Sequence, residues 1–178
     1  MEERTISTRR LYEGRVVNLR VDDVELADGR STTREIVEHP GAVAILAWDG
    51  ARLALVRQWR HAAGAELLEV PAGTLDETDD EPQATARREL AEECALEARN
   101  WEAGPAFFTA PGFCTELMHT FLATGIERAA TAEHADDEAI ETAWLSLADA
   151  LVACDDGTIR DAKSLAAIGW LARRLESG

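Results

Sequence analysis

Leu68–Leu96, LEVPAGTLDETDDEPQATARRELAEECAL, decides how the rest of the chain is read. Its second half predicts one helix. Asp80 or Glu81 can cap it, Pro82 suits the first turn, where its missing N–H costs nothing, and nothing from there to Cys94 breaks a helix. Glu89, Glu92 and Glu93 stand at i, i+3 and i+4, so at roughly 100° per residue their carboxylates share one face. Leu90 and Cys94 fall beside them, and Ala84, Ala91 and Ala95 form a small-residue stripe on the other flank. Only Arg88 is placed to relieve the repulsion among the three acids. A divalent cation relieves it better, and carboxylate oxygens are the ligands that Mg²⁺ and Mn²⁺ prefer. A charge run by itself is usually a solvated helix face. Here a Gly-containing loop precedes the helix and Arg88-Glu89 stands directly before the other two acids, which favours the cation.

The 178 residues suit one domain with at most a small appendage, and 46% hydrophobic residues are enough for a core. No run approaches the ~18 apolar residues of a membrane helix, and MEERTISTRR lacks the apolar centre of a signal peptide. Cys94, Cys114 and Cys154 are odd in number, far apart and without Cys-x-x-Cys spacing. They imply a reducing, cytoplasmic setting and neither a disulfide frame nor a zinc site. The net charge of −16 excludes a nucleic-acid partner, which needs a basic patch. It also opposes a phosphate-bearing substrate, unless cations and a few arginines reverse the field locally.

Before the central stretch, Thr5 to Val37 reads as short strands. Val17, Leu19 and Val21 alternate, Val24 and Leu26 repeat the spacing, and Asp28-Gly29 signals a hairpin. His39-Pro40-Gly41 is a turn. This opening is too poor in apolar residues to stand alone, so residues 1–41 are expected as a β-strand segment that packs elsewhere or on a second copy. Ala42 to Trp48 and Leu53 to Trp59 flank Asp49-Gly50 as a second hairpin, and Glu66 to Val70 is a short strand. After the helix, Trp101 to Phe108 and Leu117 to Ala123 read as strands, and Gly125 to Asp137 as a long polar loop of the functional or mobile kind. Ile140 to Leu145 returns to strand. Ser146 caps a short helix, and Asp161 to Leu175 is a last helix with Leu165, Ile168, Leu171, Ala172 and Leu175 on its apolar side. Strands before, between and after helices predict a mixed α/β fold, a sheet covered on both faces as an α/β/α sandwich, with residues 42–178 as its main domain.

Gly73, Arg88-Glu89-Leu90-Ala91-Glu92-Glu93 and Leu96 together resemble the box of the Nudix hydrolases. Three departures stand out: the loop after Gly73 is one residue longer, Asp80 stands where the first Glu is expected, and Ala95 replaces the final Gly. A residue with Cβ costs about 1 kcal/mol in the left-handed cap that Gly usually takes, so the helix is expected to run past Ala95 or end in another turn. Arg57-Gln58-Trp59-Arg60, Leu68-Glu69-Val70-Pro71-Ala72-Gly73 and Pro111-Gly112-Phe113-Cys114-Thr115-Glu116 look like the ADP-ribose pyrophosphatase branch of that family. Neighbouring nucleoside-diphosphate-sugar hydrolases share these motifs.

The resemblance implies a set of roles. The Ala72 carbonyl, Glu89 and Glu93 would ligate two or more Mg²⁺ or Mn²⁺ ions, and Glu92 would ligate, orient a water or pair with Arg88. Arg60 would bind the diphosphate, Glu69 would face the terminal ribose or a water, and Glu116 would contact substrate or metal. The general base would come from the acidic stretch His134 to Glu141, Glu138 first and Asp137 second. The branch usually forms homodimers through its N-terminal strands, and Tyr12 or Arg34 from this segment would contact adenine. The implied reaction is hydrolysis of a nucleoside diphosphate linked to another moiety: ADP-ribose first, GDP-mannose or an FAD-like dinucleotide as alternatives, and non-catalytic binding on the same fold as the remaining one.

Overall fold

The computed structural model describes residues 2–75, 81–129 and 140–176. Among these the strands are β1 (Arg4–Glu13), β2 (Asn18–Glu25), β3 (Ser31–Glu38), β4 (Ala42–Trp48), β5 (Arg52–Arg60), β6 (Ala65–Glu69), β7 (Ala72–Thr74), β8 (Leu96–Phe108), β9 (Leu117–Arg128) and β10 (Glu141–Ser146). The helices are α1 (Pro82–Cys94), α2 (Leu147–Asp155) and α3 (Ala162–Glu176). No described helix is long and apolar enough to cross a membrane. Two compact units form, Met1–Gly41 with Phe107–Leu117, and Ala42–Ala106 with Met118–Gly178.

The first unit is an antiparallel meander, β1-β2-β3. Its β2–β3 turn closes where Leu26 N–H donates to Arg30 O and Gly29 takes a left-handed φ of 82°, as Asp28-Gly29 predicts. The strands are longer than the apolar spacing suggests, because β1 is mostly polar and all of its residues are exposed. The turn Thr109–Glu116 belongs here through β3. Val37 N–H donates to Phe113 O at 2.7 Å and Thr115 N–H to Val37 O at 3.0 Å, laying Cys114 parallel to Val37.

The second unit holds a mixed sheet in the order β10-β5-β4-β9-β8, with β6 paired to β5 and β7 to β4. Only the β4–β9 pairing is parallel among the registers given by residue. The β4–β5 hairpin pairs at Ala47 with Ala54 and Trp48 with Leu53, and then the strands part. β7 takes up Ala42–Ala44 and β6 takes up Val56–Arg60 in its place. The chain Glu69-Val70-Pro71-Ala72 therefore crosses from the β5 side to the β4 side, pinned where Ile45 N–H donates to Pro71 O at 2.9 Å.

One face of this sheet buries Val43, Ile45, Ala47, Ala54, Val56, Phe121 and Ala123 against Ala86, Leu90 and Cys94 of α1. Strand alternation turns Ala44, Leu46, Leu53 and Leu55 to the other face, where α2 and α3 pack with Ile159, Ile168 and Leu171 fully buried. The sheet is thus covered on both faces, as expected. Leu90 is fully buried, and truncating it to Ala would cost about 2–5 kcal/mol and loosen the helix that carries the acids.

Four local expectations change. Glu81 is the N-cap of α1, with Pro82 behind it, but its side chain makes no capping bond. α1 ends at Ala95 in the left-handed conformation, φ 54° and ψ 38°, instead of running on. Ala95 N–H donates to Ala91 O and Ala95 O accepts the Ala129 N–H at 3.0 Å, so a tertiary bond holds the strained residue in place. Gly125 to Arg128 is strand, not loop, and Ile126 packs on the core. On α3 the buried side runs through Ser164, Ala167, Ile168 and Leu171, while Leu165 and Leu175 are 40% and 45% exposed. Trp170 packs on Gly104 of β8, where an added Cβ would stand 2.9 Å from the ring.

Candidate active site

The parting of β4 and β5 opens the sheet where β6 turns into β7. Glu69 ends β6, Ala72 and Gly73 begin β7, and Arg60 ends β5. α1 lies against β4, β5 and β7, which brings its acids to that turn. Glu93 Oε2 accepts the Ala72 N–H at 3.0 Å. An added Cβ on Gly73 would stand 2.0 Å from Glu89 Cδ, so Glu89 occupies the volume that any other residue at position 73 would fill.

Glu93 is only 8% exposed. Burial, and then the neighbouring Glu89 charge, push its carboxyl up to about 8, against the pull of the Ala72 N–H and of the Arg60 and Lys163 charges. A buried carboxyl group beside the half-buried Glu89 favours a proton or a cation. Among the described residues no three His, Cys, Asp or Glu side chains converge to hold an ion by themselves. The side chains at this turn that could help to hold a divalent cation are Glu89 and Glu93, hard oxygen donors of the kind such ions prefer. Glu92 is 40% exposed at its side chain. Arg88 bridges it to Glu89, donating to Glu89 Oε1 at 2.8 Å and Glu92 Oε2 at 3.1 Å.

A charged network completes this side. Glu69 is 2% exposed. Arg60 grips it with Nε–Oε2 at 3.0 Å and NH2–Oε2 at 2.6 Å, and Lys163 Nζ donates to Oε2 at 2.7 Å. Burial raises the Glu69 carboxyl, but the Arg60 hydrogen bond and the Lys163 charge outweigh it and hold the group below the ordinary carboxylate range. Lys163 also donates to Asp161 Oδ1 at 2.8 Å. The sequence offered Asp161-x-Lys163-Ser164 only as the start of a helix. Nothing in its spacing links it to Glu69, 94 residues away.

The other expected residues lie in the first unit. Glu116 accepts the Thr109 hydroxyl at 2.5 Å and stands 3.7 Å from His39 Nδ1. Arg34 is paired with Glu3 through Nε at 3.0 Å and NH2 at 2.5 Å. Tyr12 is 59% exposed. Glu138 and Asp137 lie outside the described residues.

The NUDIX domain model matches residues 38–168. The chain belongs to the Nudix family. A second model, the nucleoside diphosphate sugar hydrolase N-terminal domain, matches residues 3–37. An ADP-ribose pyrophosphatase of Bacillus subtilis is 40% identical over 173 residues, 96% of this chain and 93% of the relative. A methanol dehydrogenase activator of Bacillus methanolicus is 40% identical over 172 residues, 96% of this chain and 92% of the relative. An ADP-ribose pyrophosphatase of Mycobacterium tuberculosis is 43% identical over 148 residues, 82% and 72% of the two chains. A crystal structure described as an ADP compounds hydrolase superposes with a TM-score of 0.87 at 18% identity, covering 99% of this chain and 96% of the other. At that identity it shows that the Nudix fold is shared, in agreement with the mixed sheet and three helices found here.

Proposed function

We propose that this Nudix chain is a metal-dependent pyrophosphohydrolase that cleaves ADP-ribose to AMP and ribose 5-phosphate. The observation that carries the reading is the buried Glu93 with the half-buried Glu89 at the Ala72-Gly73 turn, beside the Arg60 guanidinium. The names of two relatives similar to this chain supply the substrate.

Mg²⁺ or Mn²⁺, two or more ions held by the Ala72 carbonyl, Glu89 and Glu93, would supply Lewis acidity toward the diphosphate and an activated water. The protein's own groups do the rest. Arg60 is 37% exposed at its side chain, and its fork fits two phosphate oxygens. Glu69 fixes where that fork stands. Arg88 restrains Glu89, so the carboxylate is set before substrate arrives. Glu138, or Asp137 in its place, takes the proton of the attacking water as it adds in line to one phosphorus. In a chain of net charge −16 the four oxygens of a diphosphate are attracted only where arginine, lysine and metal outnumber the acids locally.

Residues 42–178 form the catalytic domain in this reading, and residues 1–41 join a second copy. Supporting the homodimer, β1 is an edge strand whose residues are all exposed, and Ile6, Leu11, Tyr12, Val16 and Val17 of this region present apolar surface to solvent. Tyr12 and Arg34 would then reach adenine, with Arg34 exchanging Glu3 for the ligand, and Glu116 would contact substrate or metal. Three free cysteines suit a reducing compartment, and we place the enzyme in the cytoplasm. The match of residues 3–37 to a nucleoside diphosphate sugar hydrolase segment favours a second reading, another nucleoside-diphosphate sugar such as GDP-mannose.

The test is release of AMP from ADP-ribose with Mg²⁺, run beside GDP-mannose and FAD. ADP-ribose should give the highest kcat/KM, and Glu93→Gln should lower it by at least about 100-fold while the protein still melts cooperatively. A preference for GDP-mannose selects the second reading. Full activity in Glu93→Gln would overturn the site.

A further inference from the structure

Arg60 has two demands on one guanidinium. It is bonded to Glu69 by three contacts of 2.6–3.2 Å, and the proposed reaction needs it on the diphosphate. Glu69 is 2% exposed, and withdrawing the only cation from a buried carboxylate is strongly unfavourable. Were Arg60 its sole partner, Glu69 would compete with substrate for it. The fold supplies a second cation from the far end of the chain. Lys163 Nζ sits 2.7 Å from Glu69 Oε2, with its side chain 12% exposed. Its own position is set twice over. Asp161 Oδ1 accepts from Lys163 Nζ at 2.8 Å and from the Ser164 N–H at 3.1 Å, and Ser164 Oγ accepts the Val70 N–H at 2.8 Å, tying α3 to the residue after Glu69.

We propose that Lys163 is a positioning residue for Arg60: it holds Glu69 from the α3 side, so that Arg60 can exchange the carboxylate for a phosphate of the substrate. The inference rests on the pyrophosphatase reading above. Lys163 touches no substrate in this scheme. When phosphate arrival shifts the guanidinium, Lys163 Nζ stays bonded to Glu69 Oε2, so the buried carboxylate keeps a cationic partner.

The experiment is steady-state kinetics of Lys163→Met and Lys163→Arg with ADP-ribose and Mg²⁺, each also made in a Glu69→Gln background, with thermal melts throughout. Lys163→Gln replaces Lys163→Met if that variant fails to fold. Lys163→Met should raise KM by roughly tenfold or more, the loss typical of one charge-assisted hydrogen bond, with kcat within about threefold. Lys163→Arg should restore most of the KM. With Gln at position 69 the carboxylate is gone, and removing Lys163 should change KM by less than about twofold. A purely structural lysine would lower Tm equally in both backgrounds without separating KM from kcat, and that result overturns the proposal. So does an unchanged KM in an active Lys163→Met enzyme, which leaves the pyrophosphatase reading intact. A parent enzyme inert toward both ADP-ribose and GDP-mannose overturns the two together.

Discussion

Replacing Gly73 by alanine should separate the chemistry from the fold. A Cβ there would stand 2.0 Å from Glu89 Cδ and 2.1 Å from Oε1. Carbon atoms in good contact lie about 3.5–4.0 Å apart, so the carboxylate must retreat by roughly 1.5 Å. What moves is the end of a flexible side chain and not backbone. Gly73 is also absent from the glycines with left-handed φ, so alanine adds no backbone strain. An off-rotamer Glu89 costs about 0.5–1.5 kcal/mol, and the smaller unfolded ensemble of alanine returns about 0.4–1 kcal/mol. Tm should therefore move by no more than about 4 °C. Activity should respond far more, because a misplacement of about 1 Å costs on the order of 100-fold, or ~2.7 kcal/mol of barrier. The assay is AMP release from ADP-ribose across a Mg²⁺ titration, with a melt on the same preparation. The half-saturating Mg²⁺ concentration should rise along with the loss of kcat/KM. Retention of kcat/KM and of Mg²⁺ half-saturation within about threefold would show that Glu89 does not need the space that Gly73 leaves.

The raised Glu93 carboxyl makes the metal-free protein pH-sensitive. Folding holds the Glu93 proton more tightly than the unfolded chain does, so the stability this gives is complete below about pH 4.5 and is lost as pH rises through about 8. The upper bound is about 5 kcal/mol. Denaturant melts without metal should show parent stability falling relative to Glu93→Gln between those values; parallel curves would count against the burial of Glu93 and its repulsion by Glu89. Adding Mg²⁺ at pH 7 in weak buffer should release close to one proton per chain, and almost none well above pH 8; a pH-independent release would remove Glu93 from the ligand set. Ala95→Gly should stabilise the protein by about 1 kcal/mol, because Ala95 sits at φ 54° where glycine carries no Cβ penalty. Tm should rise by about 2–4 °C with unchanged kcat, and an unchanged or lower Tm would show that the Ala129 bond already absorbs the strain.

Local pattern alone made α1 legible. Pro82, the unbroken run to Cys94 and the 3-4 spacing of Glu89, Glu92 and Glu93 are short-range facts, and the helix appears with those bounds. Both hairpin turns were legible for the same reason, since Asp28-Gly29 and Asp49-Gly50 encode left-handed φ in two residues. The boundaries failed where a distant partner decides them. Ala95 ends a helix that propensity would extend because Ala129 takes its carbonyl. Gly125–Arg128 becomes strand because β9 finds neighbours in the sheet. The buried face of α3 is set by packing on the sheet, which takes in Ser164, Ala167, Ile168 and Leu171.

The site divides the same way. The amino-acid order by itself determined that Glu89 and Glu93 share a helix face, because periodicity is a property of the local backbone; the packing of α1 brings that face to the Pro-Ala-Gly turn. Only the tertiary structure decided that Glu69 is buried and that Lys163 reaches it from a helix at the opposite end of the chain. A charge network needs several side chains within hydrogen-bond reach at once, and no local rule brings Arg60, Glu69 and Lys163 together; the parting of β4 from β5 and the docking of α3 on Val70 do.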